Sequence, residues 1–153
     1  MTPEETREFD EMRGAAHLYH TSAVFLQDIS PIIQDLSKGK LPVNLNANII
    51  TSIVIYALSA EIAMKAILKN EGTAVPRQHD LKTLFESMSA TNRNVIKQKL
   101  EGKYPEFDSL LENNKKNFVE WRYFYESAQS ADVSFLRDLS SELGILCNKL
   151  ASE

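Results

Sequence analysis

One carboxylate stands inside the most apolar stretch of this sequence. At helical spacing, the residues on the same face as Glu61 are Val54, Ala57, Met64 and Leu68. An ionised carboxylate that is buried alone is very costly, so it must be paired or neutralised. Lys65, four residues later, is in the favourable orientation for an ion pair. Two arrangements remain open: a half-exposed Glu61–Lys65 pair at the end of the stripe, or a buried polar centre that needs a second cation.

Arg122 is the candidate for that second cation. It lies within the aromatic segment 121–125, where a guanidinium can stack on rings and form two hydrogen bonds to a carboxylate. Glu126 follows at the i+4 position, and a surface Arg122 paired with Glu126 alone is the alternative. We take Arg122 and Glu61 as candidate catalytic residues, with Lys65, Tyr123 and Glu126 as candidate ligand-binding residues.

Basic residues are concentrated in one part of the chain. Arg93, Lys97, Lys99 and Lys103 lie on and just after a short polar helix, and Lys115 and Lys116 follow. The net charge of −4 provides no global field that would attract nucleic acid, so any RNA contact must be local. Lys97 and Lys99 are therefore candidate phosphate-binding residues, and a solvated helix face is the alternative.

Metal and cofactor chemistry is weakly indicated. His17 and His20 are spaced like metal ligands on one helical turn, but they fall on the polar side of the first helix and no carboxylate or thiolate accompanies them. Cys147 is expected to be a small core residue. Since the sequence has no Gly-rich phosphate loop and no Ser-His-Asp arrangement, we expect no metal and no cofactor.

These residues must be positioned by helices. Apolar residues recur at steps of three and four in 2–36, 46–71 and 132–150, and a long helix is predicted from Pro105 to Tyr125. Short helices are expected at 81–88 and 91–101. Thr2 with Glu5, Asp80 and Asp132 are predicted N-caps, and Gly72 is a predicted C′ residue. The pattern predicts an all-α, up-and-down four-helix bundle with two short additional helices.

Length and composition favour one intracellular domain. The 153 residues, of which 43% are hydrophobic, fit a single domain over 1–153. The apolar run 49–68 is long enough to suggest a membrane span, but it contains Glu61 and Lys65, whose insertion into a bilayer would be costly. We interpret it as a central core helix. A single cysteine and an acidic start without a signal peptide predict a cytoplasmic protein.

Three segments together resemble the HEPN family of helical domains. They are ALSAEIAMKAIL at 57–68, HDLKTL at 79–84 and FVEWRY at 118–123. In that family a central helix carries E-x-x-x-K-A, a loop and H-D-L follow, and a later helix carries an Arg. The resemblance implies a HEPN-like bundle that forms homodimers with the Arg helices facing each other. It also implies a toxin–antitoxin or phage-defence setting.

Active members of the family cut RNA without metal, and they use an R-x4–6-H motif. After Arg122, the positions for that His hold Ser127, Ala128 and Gln129, which cannot transfer a proton near neutral pH. His79 is expected to be structural, fixing its loop or capping the following helix; a substitute catalytic role is the alternative. We therefore expect a catalytically inactive domain that binds RNA or a nucleotide. Two alternatives are a metal-independent endoribonuclease that uses Arg122, and a protein-interaction partner of a nucleotidyltransferase.

Overall fold

A computed structural model describes residues 2–37, 42–120 and 131–152, and at 29–37, 42–50, 118 and 120 it describes the backbone only. The helices are α1 (Pro3–Ser37), α2 (Pro42–Asn70), α3 (Leu81–Ser87), α4 (Ala90–Leu100), α5 (Phe107–Asn114), α6 (Asn117–Glu120) and α7 (Val133–Ala151). No strand occurs in these described ranges, so the prediction of an all-α fold is confirmed for them.

Helix α2 is the centre of the fold. It packs against α1 along its length and also contacts α3, α6 and α7. Its apolar residues Tyr56, Met64 and Leu68 are fully buried, as are Leu139 and Leu143 of α7. Among the described residues, Thr51–Asn70 is long and apolar enough to cross a membrane, but 67% of its most apolar window is buried inside the structure. That burial is typical of the core helix of a soluble protein.

The predicted helix termini are confirmed by their hydrogen bonds. Thr2 and Glu5 form the reciprocal capping box, with Thr2 N donating to Glu5 Oε2 at 2.7 Å and Glu5 N donating to Thr2 Oγ1 at 3.2 Å. The carboxylates of Asp80 and Asp132 accept the backbone N–H groups that begin α3 and α7. Gly72 has a φ of 68° and ends α2, because a residue without Cβ adopts this left-handed conformation most easily.

The prediction of one long helix over 105–125 is wrong in the described part. The chain becomes helical at Phe107, and the helix ends at Asn114 before α6 begins. The carbonyl oxygen of Lys115 accepts a hydrogen bond of 2.8 Å from Leu81 N, at the start of α3. This tertiary bond accompanies the end of the regular helical pattern, which sequence periodicity cannot reveal. Residues 121–125 lie outside the described residues.

Helix α2 starts at Pro42 rather than at Asn46, since proline fits the first helical position.

The inner face of α1 is narrower than its apolar residues suggest. Phe9, Ala16 and Ala23 are buried, but Leu18 and Phe25, which also recur at helical spacing, are 67% and 64% exposed. His20, predicted on the polar side, is half-buried and takes the place between Ala16 and Ala23 on the face toward α2 and α7. A polar residue with partners can occupy an inner position that hydrophobicity alone assigns to its apolar neighbours.

Candidate functional site

Glu61 lies at the centre of a buried polar cluster. Glu61 as a whole is only 3% exposed. Its Oε1 atom accepts a hydrogen bond from Lys65 Nζ at 2.7 Å. His79 Nδ1 lies 2.9 Å from Oε1 and 3.0 Å from Oε2. Because carboxylate oxygens of an ionised Glu only accept, Nδ1–H of His79 is the donor in this arrangement. The half-exposed alternative for Glu61 is therefore wrong, and the Glu61–Lys65 pair is a buried polar centre.

The second partner of Glu61 comes from the loop that follows α2. The sequence favours Arg122 for this role, whereas in the described residues the partner is His79, which is 18 positions away along the chain. The predicted structural role of His79 in fixing its loop is supported by this contact. Asp80, and not His79, caps α3, through a 2.9 Å hydrogen bond from Thr83 N to Oδ1. His79 as a partner of Glu61 was missed, although its place in the H-D-L segment was the available signal.

Burial differs across this cluster, which we call the Glu61 cluster (Glu61, Lys65 and His79). The Glu61 side chain is 4% exposed, the Lys65 side chain 17% and the His79 side chain 52%. The carboxylate is thus covered by protein, while both of its basic partners are more exposed than it is. Such a cluster can hold an imidazole and an ammonium in fixed positions at the surface, because the carboxylate restricts both of them.

A second contact joins the loop to another turn of the chain. The hydrogen bond from Leu81 N to the carbonyl oxygen of Lys115 places the start of α3 beside the turn between α5 and α6. The carboxylate of Glu112 bridges Lys115 and Lys82, and both ammonium groups hold its pKa at about 2. Glu112 raises the pKa of Lys115, and the charge of Asp80 adds to this effect. The loop before α3 and the Lys115–Lys116 turn therefore form one continuous surface.

Three further candidate residues belong to the segment around Arg122. Arg122, Tyr123 and Glu126 lie outside the described residues. The expected meeting of Glu61 with the Arg122 guanidinium therefore stays a prediction.

The predicted basic surface at Lys97 and Lys99 is divided by carboxylates. Lys97 Nζ lies 2.7 Å from Asp108 Oδ1, and the same ammonium stands 5.6 Å from the centre of the Phe107 ring. Lys97 lines a cleft of about 400 Å³ between α3, α4 and α5, whose lining also includes Arg93, Glu86 and Asp108. Lys99 is exposed. Lys97 and Lys99 lie on α4, where Lys97 is paired with Asp108 of α5 rather than with the Glu61 carboxylate.

His20 and Cys147 both have partners within the helical core. His20 Nδ1 lies 2.8 Å from Ser140 Oγ, and its ring stands 5.6 Å from that of Tyr56. Burial, followed by the charge of His17, lowers the pKa of His20. Cys147 is fully buried, as predicted, and burial raises the pKa of its thiol to about 12. No group of three or more metal-ligating side chains occurs within the part of the chain that the structure describes.

Comparison of the chain with protein-family models, with curated proteins and with solved structures finds no match.

Proposed function

We propose that this chain is a HEPN-like helical domain that binds a phosphate-bearing ligand, RNA or a nucleotide, and does not cleave it. The observation that carries the proposal is the Glu61 cluster. Its Glu and Lys belong to the E-x-x-x-K segment of α2 and its His to the H-D-L segment, so two separate parts of the resemblance meet in one hydrogen-bonded group. A chance match of short segments gives no reason for such a meeting.

The proposal includes the setting that the resemblance implies. The domain acts in the cytoplasm, as a four-helix bundle that pairs into a homodimer, in a defence or toxin–antitoxin context. The packing of α1, α2 and α7 around one core supports the bundle. Sedimentation velocity at several protein concentrations tests the homodimer, and a monomer at every concentration would remove it from the proposal.

Binding is preferred to cleavage because of the residues that follow Arg122. Ser127, Ala128 and Gln129 occupy the positions where the active family members carry a His. A hydroxyl, a methyl and an amide side chain do not exchange protons near neutral pH, so none of these three residues can perform the acid–base step of the motif. Cationic side chains at the surface are sufficient for binding.

A second candidate function is favoured by one contact. The Glu61 carboxylate orients the ring of His79, whose side chain is half exposed, and a carboxylate–histidine pair of this kind is a frequent part of acid–base sites. A metal-independent endoribonuclease with Arg122 as phosphate-binding residue is therefore the alternative. His79 would replace the missing His of the motif as the proton acceptor.

Two measurements separate these functions. Fluorescence anisotropy with labelled single-stranded RNA, and competition by ATP, measure binding at two salt concentrations. Incubation of the same RNA with EDTA, followed by gel analysis, measures cleavage. The proposal expects salt-dependent binding of RNA or ATP and intact RNA after incubation. Metal-independent cleavage that is lost in both Arg122→Ala and His79→Gln would establish the alternative. Absence of all binding, together with co-purification of a nucleotidyltransferase, would favour the protein-interaction function.

A further inference from the structure

We infer that the phosphate-bearing ligand binds along a basic edge formed by Lys65, Arg77, His79, Lys115 and Lys116, rather than at the Lys97–Lys99 surface that the sequence indicates. We call it the basic edge. This inference rests on the proposed function, since it assigns a place on the molecule to that function's ligand.

Two hydrogen bonds assemble the basic edge from three distant segments. The bond between His79 Nδ1 and Glu61 brings the loop before α3 to the side of α2 that carries Lys65. The bond from Leu81 N to the Lys115 carbonyl oxygen brings the same loop to the turn between α5 and α6. Arg77 precedes His79 by two residues, and Lys116 follows Lys115 directly. These bonds bring together three segments that carry the five basic side chains and that span about 50 positions of sequence.

Burial makes this surface more basic than its composition suggests. The Glu61 side chain is 4% exposed, whereas the Lys65 and His79 side chains are 17% and 52% exposed. Arg77 and Lys116 are exposed, and neither has a carboxylate within ion-pair distance in the described ranges. Asp80 lies among these groups, but its side chain accepts the Thr83 N–H as the cap of α3. Exposed cations without nearby carboxylates are those that a phosphate can neutralise with release of counterions.

The competing surface on α4 has more exposed carboxylates beside its cations. Asp108 and Glu86 are 75% and 57% exposed there, whereas Glu112, which pairs with Lys115 of the basic edge, is 42% exposed. Lys97 is paired with Asp108, with Nζ and Oδ1 2.7 Å apart. The cleft beside it also contains the carboxylate of Glu86, which lies 3.8 Å from Lys82 Nζ. A phosphate entering this cleft would have to approach two carboxylates that already bind its cations. The electrostatic gain is therefore smaller on α4 than at the basic edge.

Glu61 acts as a positioning residue for this edge. Its two oxygens fix Lys65 Nζ and His79 Nδ1, so that both side chains have few conformations to lose when a ligand binds. A Lys ammonium has three donors and directs one of them to Glu61, which leaves the group able to donate to a phosphate oxygen as well.

Two double variants with the same change of net charge test the inference. Arg77→Gln with Lys116→Gln removes two charges from the basic edge, and Lys97→Gln with Lys99→Gln removes two from α4. The probes are a short labelled single-stranded RNA and, in a separate titration, ATP. Circular dichroism and thermal unfolding establish that both variants keep the fold. All affinities are measured over a series of salt concentrations.

The edge variant is expected to bind RNA about tenfold more weakly than wild type at low salt. The slope of log affinity against log salt concentration should fall by about one for each phosphate contact that is lost. The α4 variant is expected to stay within about twofold of wild type at the same salt, since Lys97 is already paired with Asp108 and only Lys99 presents an exposed charge without a carboxylate within ion-pair distance in the described ranges. If the edge variant loses more affinity than the α4 variant for ATP but RNA does not bind, the edge is a nucleotide site. If this holds for RNA but ATP does not bind, the edge is a site for a phosphodiester backbone.

Different failures lead to different conclusions. Wild-type binding that persists in the edge variant, or a larger loss in the α4 variant, would overturn the inference and leave the proposed function standing. No binding of RNA or ATP by the folded wild-type protein would overturn the proposed function itself.

Discussion

Replacement of Glu61 by glutamine tests whether the Glu61 cluster is a structural ion pair or a set of incidental contacts. Glu61→Gln keeps the size of the side chain and one acceptor oxygen, but it removes the negative charge that faces two basic groups. Lys65 Nζ then keeps at most a neutral partner while its side chain stays only 17% exposed. His79 loses one of the two oxygens that face Nδ1 at 2.9 and 3.0 Å.

The size of the effect follows from the burial of the pair. Removal of one partner from a fully buried ion pair costs about 3–5 kcal/mol, because the other charge remains buried without compensation. Here both basic groups retain access to water, which reduces the expected loss to about 2–4 kcal/mol of unfolding free energy. With a urea dependence of about 2 kcal/mol per molar, the unfolding midpoint should fall by about 1–2 M.

The chain offers a matched control for this change. Glu11 forms an i,i+4 ion pair with Arg7 on α1, with N and O atoms 3.6 Å apart and both side chains 69% exposed. Glu11→Gln should change the unfolding free energy by less than about 0.5 kcal/mol. Urea unfolding followed by far-ultraviolet circular dichroism measures both variants. If the two substitutions have equal effects, the interpretation of Glu61 as a buried ion-pair centre is wrong.

Three further predictions concern other parts of the structure. Asp80→Ala should lower the unfolding free energy by about 1 kcal/mol in urea denaturation, because it removes the cap of α3; an unchanged midpoint would contradict this. The folded state holds the pKa of His20 below 6.5 and favours the neutral ring. Stability should therefore be lost as pH falls from 6.5 through that lowered pKa, and His20→Gln should lose less than wild type in urea titrations over this window. Cys147, with a buried thiol whose pKa is about 12, should react with a disulfide reagent only at the rate of unfolding, and rapid labelling of the native protein would disprove its burial.

Sequence patterns were sufficient for the helices whose ends are determined locally. The cap at Thr2 and the C′ residue Gly72 depend on residues within four positions, and both are confirmed. The break after Asn114 coincides with a hydrogen bond from Leu81 N, more than 30 positions earlier, to the Lys115 carbonyl oxygen, and local periodicity does not indicate this bond. The exposure of Leu18 and Phe25 likewise depends on where α2 and α7 pack on α1.

The part of the site that follows from burial could be predicted from the sequence. Glu61 on an apolar face must have a partner, and Lys65 at i+4 follows from helix geometry. The contribution of His79 depends on the path of the loop 73–80, which sequence spacing does not determine. The division of the Lys97 surface by Asp108 also requires the α4–α5 packing. The expected contact of Glu61 with Arg122 stays a prediction, because Arg122 lies outside the described residues.

Mapping of amide chemical shifts is the most direct test of the claim that this domain binds phosphate at the basic edge. A uniformly ¹⁵N-labelled protein is titrated with short single-stranded RNA, and with ATP in a parallel sample, while two-dimensional spectra are recorded. We expect the largest shifts at Arg77, His79, Lys115 and Lys116, which saturate with added ligand. Shifts centred on Lys97 and Lys99, or no shifts with either ligand, would contradict the account.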